Sequence, residues 1–150
     1  MTDAKLTATL QALLAREGRS LLQFMGDAFP WARFEEQEKL ALLRKMIDDE
    51  RDAAAALGAY LRRRRVPVLP LDPYPLSYSS LQFVALDYLL PQLVEQQRKG
   101  VEALQRDLAA IQQPDARQPL EHLLHVKQWH LTKLQELAAK PKAEHAAAAS

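Results

Sequence analysis

A lysine and a histidine interrupt the apolar face of the last predicted helix. Within the segment LEHLLHVKQWHLTKLQEL, Lys127 and His130 lie one helical turn apart in the sequence KQWH. At 100° per residue both fall on the side of the helix that carries four leucines, namely Leu120, Leu123, Leu134 and Leu137. Ammonium and imidazole groups on a core face need polar partners, because an unpaired charge away from water costs several kcal/mol.

Each of the other predicted helices carries a matching polar residue on its apolar face. Glu17, Glu50 and Gln97 interrupt the first, second and third helices, and Glu95 and Asp87 are the other choices on the third. Glu50 and Gln97 each precede the end of their predicted helix by about fifteen residues, and His130 follows the start of the fourth by about fourteen. Glu17 matches this level more loosely. One interpretation is that four separate edge residues extend their polar heads to water. The other is that they share one interior site.

Four helices are predicted to position these residues. They span about 3–28, from 31–33 to 65, from Ser77 or Ser79 to 112, and 116–139. Pro91 predicts a kink or a broken first turn in the third helix. The short first and third connections predict antiparallel neighbours. The connection VPVLPLDPYPL has four prolines in eleven residues, which favours an extended segment of about 34 Å that can cross the length of a bundle.

The composition favours an all-α protein. The 150 residues are 48% hydrophobic, include only four glycines, and are rich in residues with high helix propensity. The absence of cysteine excludes disulfides and thiolate chemistry. With a net charge of +1 and no long apolar run, we expect a cytoplasmic protein with neither nucleic acid nor membrane as partner. Residues 1–140 are predicted to form the bundle and 141–150 a flexible tail.

The helix order, the long second crossover and the level of the interior polar residues resemble the ferritin-like superfamily, the four-helix bundles of bacterioferritin and rubrerythrin. The resemblance spans about residues 5–138 and includes no single strong motif. In that family a Glu from each of two helices joins a Glu-x-x-His motif from each of the other two around a di-iron centre. Glu17 corresponds to the glutamate of helix one and Glu50 to the first residue of the helix-two motif. KQWH matches the helix-four motif at His130.

The chain departs from the family pattern at three positions. Ala53 stands where the helix-two histidine belongs, Gln97 is the best match for a glutamate, and Lys127 replaces the other glutamate. The resemblance therefore implies a di-iron centre that has been lost. We predict that the Lys127 ammonium lies between Glu17 and Glu50 and balances two carboxylates that the family balances with metal.

The function expected on this basis is a non-catalytic binding or structural role, with no catalytic residue and no cofactor, and with self-association as a homodimer. The alternative is an iron-handling or iron-oxidising protein that retains a reduced metal site of Glu17, Glu50 and His130.

Other features have simpler interpretations. The run Arg62–Arg65 is expected to be a solvated helix end that complements the helix dipole. His122 and His125 are expected at the bundle surface, with a metal clip as the alternative. Aromatic residues near the connections are predicted to pack there, namely Trp31, Phe34, Tyr74, Tyr78 and Tyr88.

Overall fold

The computed structural model describes residues 2–28 and 30–149, with side chains as far as residue 139. This part of the chain is all-helical, as the composition predicts, and has no β-strand, although one isolated bridge pairs Trp31 with Ala85. Two 3₁₀ turns, Phe34–Glu36 and Leu76–Leu81, accompany the helices. The five α-helices of the described residues are α1 (Asp3–Gly18), α2 (Leu21–Ala28), α3 (Gln37–Arg63), α4 (Leu86–Ala110) and α5 (Pro114–Ala149).

The prediction of one continuous first helix is wrong, because the chain breaks at Arg19 and Ser20. Arg19 leaves the helical conformation at φ −118° and ψ 22°, and the Ser20 hydroxyl accepts a hydrogen bond from the backbone N–H of Gln23 at 3.2 Å. Ser20 thus caps α2. At Gly18 an added Cβ would lie 2.8 Å from Leu71 Cδ1 of the crossover. The break therefore occurs where the crossover packs closely on the backbone.

The predicted start of the third helix at Ser77 or Ser79 is also wrong. These serines lie in the second 3₁₀ turn, and α4 begins only at Leu86. Before it, Phe83 has a left-handed φ of 60°, and its N–H donates to the Ala28 carbonyl at 3.2 Å. The Trp31 N–H donates to the Val84 carbonyl at 2.9 Å. These hydrogen bonds hold residues 83–85 against the connection between α2 and α3. The α4 helix begins after them and continues through Pro91.

The remaining boundaries differ by a few residues, except at the end of the last helix, where α5 continues to Ala149 instead of ending at about 139. The second predicted helix starts later, because the 3₁₀ turn Phe34–Glu36 precedes α3. The last helix begins at Pro114, where a proline fits because the first helical N–H has no intrahelical partner. The predicted tail at 141–150 lies outside the residues whose side chains are described, and its flexibility stays a prediction.

Two apolar clusters give the direction of each helix. One joins α2, the first halves of α3 and α4, and the later part of α5, and includes Leu43, Leu90 and Leu134. The other joins α1, the second halves of α3 and α4, and the start of α5, and includes Leu10, Leu57, Leu104 and Leu120. Since the first halves of α3 and α4 share a cluster, these two helices run in the same direction. The crossover, extended over 66–75 as predicted, returns the chain along the bundle.

A polar layer separates the two clusters. Glu50 lies between Ile47 of one cluster and Ala53 of the other, and Gln97 lies between Leu93 and Leu104 of the same two clusters. Glu17 occupies the corresponding place at the end of α1, and Lys127 and His130 occupy it on α5. The fold therefore brings polar groups from four of the helices to one level.

The arginines at the end of α3 are exposed, as expected. Arg65 has a φ of 58°, its N–H donates to the Arg62 carbonyl at 3.0 Å, and the Val66 N–H donates to the Leu61 carbonyl at 2.9 Å. This is a Schellman ending with arginine at the left-handed position that glycine usually occupies. Within the described residues, no helix has the length and apolar character needed to cross a membrane.

The predicted aromatic packing holds only in part. Tyr74 and Tyr78 pack on Phe24, with ring centroids 5.2 and 5.4 Å away. In contrast, Trp31 is 59% exposed and Phe34 is 90% exposed. Tyr88, at 62%, is also largely in solvent.

Candidate functional site

Lys127 is the centre of the interior polar layer. Its side chain is 2% exposed, and its Nζ lies 2.9 Å from Glu17 Oε2 and 2.8 Å from Glu50 Oε1. Glu17 and Glu50 are themselves 6% and 4% exposed. One ammonium therefore bridges two buried carboxylates that come from α1 and α3, in the position that the sequence predicts for Lys127.

Glu50 accepts hydrogen bonds at both of its carboxylate oxygens. Oε1 accepts from Lys127, and Oε2 accepts from Gln97 Nε2 at 2.8 Å. His130 Nδ1 lies 2.6 Å from the same Oε2. Because an ionised carboxylate can only accept, Nδ1 must carry a proton in this contact. Glu50 is therefore held by three donors from α4 and α5.

The pKa values of Glu50 and Lys127 favour the ionised pair. Burial alone would raise the pKa of Glu50, but the hydrogen bond from His130 and the charge of Lys127 outweigh burial and hold it below its ordinary value. Burial alone would lower the pKa of Lys127, but the charges of Glu50 and Glu17 outweigh it and raise that pKa. The charges are thus stabilised by each other in a site removed from water.

Gln97 is the α4 member of the cluster. Its amide Nε2 donates to Glu50 and also to the backbone carbonyl of Lys127, at 3.1 Å. The alternatives lie elsewhere: Glu95 is exposed and pairs with Arg98 at 2.5 Å, and Asp87 lies 3.0 Å from Arg33 near the first connection. Only the amide reaches Glu50, because it alone of the three lies on the buried stripe of α4.

Asp87 belongs to a second carboxyl pair. Glu36 Oε2 and Asp87 Oδ1 are both buried without a hydrogen-bond partner. Burial and the neighbouring Glu36 carboxyl group raise the pKa of Asp87. A proton held by Asp87 lets the two carboxyl groups lie close together without mutual repulsion.

On α3, Ala53 occupies the position where a Glu-x-x-His motif beginning at Glu50 would place its histidine. Ala53 is 3% exposed and is part of an apolar cluster. The second ring nitrogen of His130, Nε2, lies 3.6 Å from Asp49 Oδ2. The apolar stripe of α3 does not predict Asp49, because this residue lies beside Glu50 at the edge of the buried face rather than within it.

The interior cluster lacks the set of donors that a metal ion needs. Among the described side chains, no three His, Asp or Glu residues converge closely enough to hold one. His122 and His125 are exposed, as expected, and line a surface groove of about 500 Å³ with Asp49 and His130. At the interior cluster, the space between Glu17 and Glu50 is occupied by the Lys127 ammonium. Two carboxylates, an amide, an imidazole and an ammonium do not fit a di-iron centre.

Two cavities reach the cluster beside the α1–α2 break. One, of about 440 Å³, lies toward α3 beneath the crossover and touches Glu17 and Glu50. The other, of about 470 Å³, lies toward α4 and touches Gln97 and Lys127. The interior cluster is therefore close to two concave surfaces.

No protein-family model, no curated protein and no solved structure matches the chain.

Proposed function

We propose that the chain is a ferritin-like bundle in which an internal Glu–Lys–His cluster stands in place of a di-iron centre, and that it acts as a non-catalytic binding or structural protein. The helix order, the long crossover and the parallel α3 and α4 support the ferritin-like assignment.

The observation that carries the proposal is the position of the Lys127 ammonium, within 2.9 Å of both Glu17 and Glu50. Two buried carboxylates need positive charge nearby, which either a metal ion or a protonated amine supplies. An iron ion would have to displace the ammonium and leave it buried without a partner. The missing ligands at Ala53 and Gln97 oppose that exchange further.

Metal analysis of the purified protein tests this proposal. The protein is analysed as isolated and after addition of ferrous iron in air, with oxygen uptake followed at the same time. We expect no stoichiometric iron and no iron-dependent oxygen consumption. One or two irons per chain, or rapid oxygen uptake, would instead support a reduced iron site of Glu17, Glu50 and His130.

Self-association is the second part of the proposal, and a second copy of this chain is its partner. Exposed aromatic side chains flank the bridge between Trp31 and Ala85, where Phe83 is 71% exposed. Since an aromatic side chain covers about 150–250 Å², Trp31, Phe34, Phe83 and Tyr88 together expose on the order of 500 Å². Two such surfaces facing each other bury about 1,000 Å², the lower limit for a specific interface.

Sedimentation at tens of micromolar tests self-association. We expect a dimer for the natural chain and a monomer for the Phe34→Ser, Phe83→Ser double variant. A natural chain that sediments only as a monomer would remove this part of the proposal. So would a double variant that still forms the dimer.

A further inference from the structure

The cavity of about 470 Å³ between the α1–α2 break and α4 is lined by an excess of positive charge. Gln97 and Lys127 are the buried polar residues of its lining, at 4% and 2% exposure. Four further cationic side chains line it from α1, the break and α4, namely Arg16, Arg19, Lys99 and Arg106.

The lining contains a single carboxylate, that of Glu17, and Lys127 already pairs with it at 2.9 Å. This step rests on the proposed function, in which Lys127 is the internal counter-ion. Arg16 also lies 3.8 Å from Glu17, and Lys99 lies 4.0 Å from Glu95 outside the lining. Arg19 and Arg106 form no ion pair among the described residues, so five cations line the cavity against one carboxylate. Because the whole chain has a net charge of only +1, the excess is local. Like charges around a concave surface raise the potential there and attract anions.

Neighbouring groups hold two of these cations in position. Arg16 Nη2 lies 3.0 Å from Asp107 Oδ2. Arg19 donates to the Asp72 carbonyl, and its guanidinium lies 4.4 Å from the centre of the Tyr74 ring. Side chains that are held before a ligand arrives lose less entropy on binding. Guanidinium groups also match the oxygens of carboxylates and phosphates geometrically.

The rest of the lining is apolar. Leu21, Leu22 and Leu93 are at most 3% exposed overall and contribute the inner wall. Tyr78 and Pro75 of the crossover contribute the outer wall. A volume of this size is within the usual range for small-molecule sites, which combine apolar walls with a few placed polar groups.

We propose that this cavity binds a small organic anion, with a phosphate or carboxylate group at the Arg16, Lys99 and Arg106 side chains and an apolar body against the leucines. The oxyanion balances the excess of positive charge in the lining. The apolar body displaces water from the leucine wall.

Titration calorimetry on the full chain tests the proposal with phenyl phosphate, benzoate and inorganic phosphate. We expect phenyl phosphate or benzoate to bind with a Kd below about 1 mM, and the stronger of the two identifies the oxyanion. Inorganic phosphate should bind at least about tenfold more weakly, because it lacks the apolar body. Failure of both aromatic anions to bind at about 10 mM would overturn the proposal.

Matched variants separate the cavity from general surface charge. The Lys99→Ala, Arg106→Ala double variant should weaken binding at least about tenfold, since two charge-assisted contacts are lost. The Arg63→Ala, Arg65→Ala variant removes the same charge at the distant end of α3 and should change the Kd less than about twofold. Equal weakening in both pairs would contradict a specific site. Ala103→Trp keeps every charge but fills the cavity, and unchanged binding in that variant would also contradict it.

These variants leave Glu17, Glu50 and Lys127 intact, so the interior cluster should remain. Loss of anion binding with unchanged thermal unfolding tests the cavity alone. Iron uptake by the natural chain would refute the proposed metal-free cluster, whatever the calorimetry gives.

Discussion

The Nζ of Lys127 lies 2.8 Å from Oε1 of Glu50, and both side chains are almost completely buried. An ion pair in such a place need not add net stability, because both groups lose their hydration. Removing one partner is costly, however, since the other charge stays buried.

The stability of the natural chain should have an acid limb and an alkaline limb that arise from this pair. The folded pKa of Glu50 is below its ordinary value of 4.5, so its contribution is present above pH 4.5 and is lost as pH falls through the folded pKa. The folded pKa of Lys127 is above its ordinary value of 10.5, so its contribution is lost as pH rises through that higher pKa. Urea unfolding across the pH range measures both limbs. Glu50→Gln should flatten the acid limb, and an unchanged limb would refute this assignment.

At position 97, a negative charge should lower the free energy of unfolding more than the loss of the Gln97 amide does. Gln97→Met removes the donor to Glu50 and to the Lys127 carbonyl, and should lower the free energy of unfolding by about 1–3 kcal/mol. Gln97→Glu places a carboxylate against these two acceptors and should cost more, increasingly so as pH rises and the new group ionises. Denaturant unfolding compares both with Gln105→Glu, an exposed change on the same helix. A Gln97→Glu variant as stable as Gln97→Met would be inconsistent with the observed hydrogen bonds.

Glycine at position 65 should stabilise the protein. Arg65 has a φ of 58° at the end of α3, a conformation that costs an ordinary residue about 1–2 kcal/mol and glycine almost nothing. After the greater flexibility of glycine in the unfolded chain is subtracted, Arg65→Gly should raise the free energy of unfolding by up to about 1 kcal/mol. Arg44→Gly is the control inside α3, where the same change should destabilise by about 0.5–1 kcal/mol. Thermal unfolding that gives both changes the same sign would argue against the strained ending.

Introducing the ligands of the proposed ferritin-like site should create iron affinity. The Ala53→His, Gln97→Glu, Lys127→Glu variant supplies the missing groups and removes the ammonium, which should weaken the metal-free fold and let iron stabilise it. Equilibrium dialysis with ferrous iron measures the binding. The double variant without the change at Lys127 is the control, and we expect it to bind much less iron. If the triple variant binds none, these residues do not share a site.

The interior cluster could be predicted because helical periodicity determines which residues lie inside. Glu17, Glu50, Gln97, Lys127 and His130 each interrupt an apolar stripe at a similar height, and the structure buries all five. Periodicity does not specify which polar atoms form hydrogen bonds. Periodicity favoured Gln97 over Glu95 and Asp87, but its hydrogen bonds to Glu50 and to the Lys127 carbonyl needed the structure.

The errors in the helix boundaries have tertiary causes. Gly18 and Ser20 are tolerated inside helices, so the α1–α2 break depends on the packing of Leu71 against Gly18 and on the capping hydroxyl of Ser20. The serines before α4 do bend the chain, since the Ser79 hydroxyl donates to the Leu76 carbonyl at 2.7 Å. Residues 83–86 then form hydrogen bonds with Ala28 and Trp31 near the connection between α2 and α3. Contacts between segments so far apart in the chain are not visible in local sequence patterns.

The central claim, that Lys127 is the counter-ion of Glu17 and Glu50, is tested most directly by the pH dependence of Lys127→Met. In this variant Glu50 remains buried beside Glu17 without the cation, so the pKa of Glu50 in the folded state should rise above its ordinary value. The folded variant then binds more protons than the unfolded chain, and its stability should fall as pH rises through the raised pKa. The measurement is the free energy of unfolding of the natural chain, Lys127→Met and the partly exposed control Lys133→Met between about pH 5 and 9. We predict a loss of about 3–5 kcal/mol for Lys127→Met near neutral pH, a smaller loss at pH 5, and little change for Lys133→Met. Equal stability of Lys127→Met and the natural chain at every pH would contradict the account.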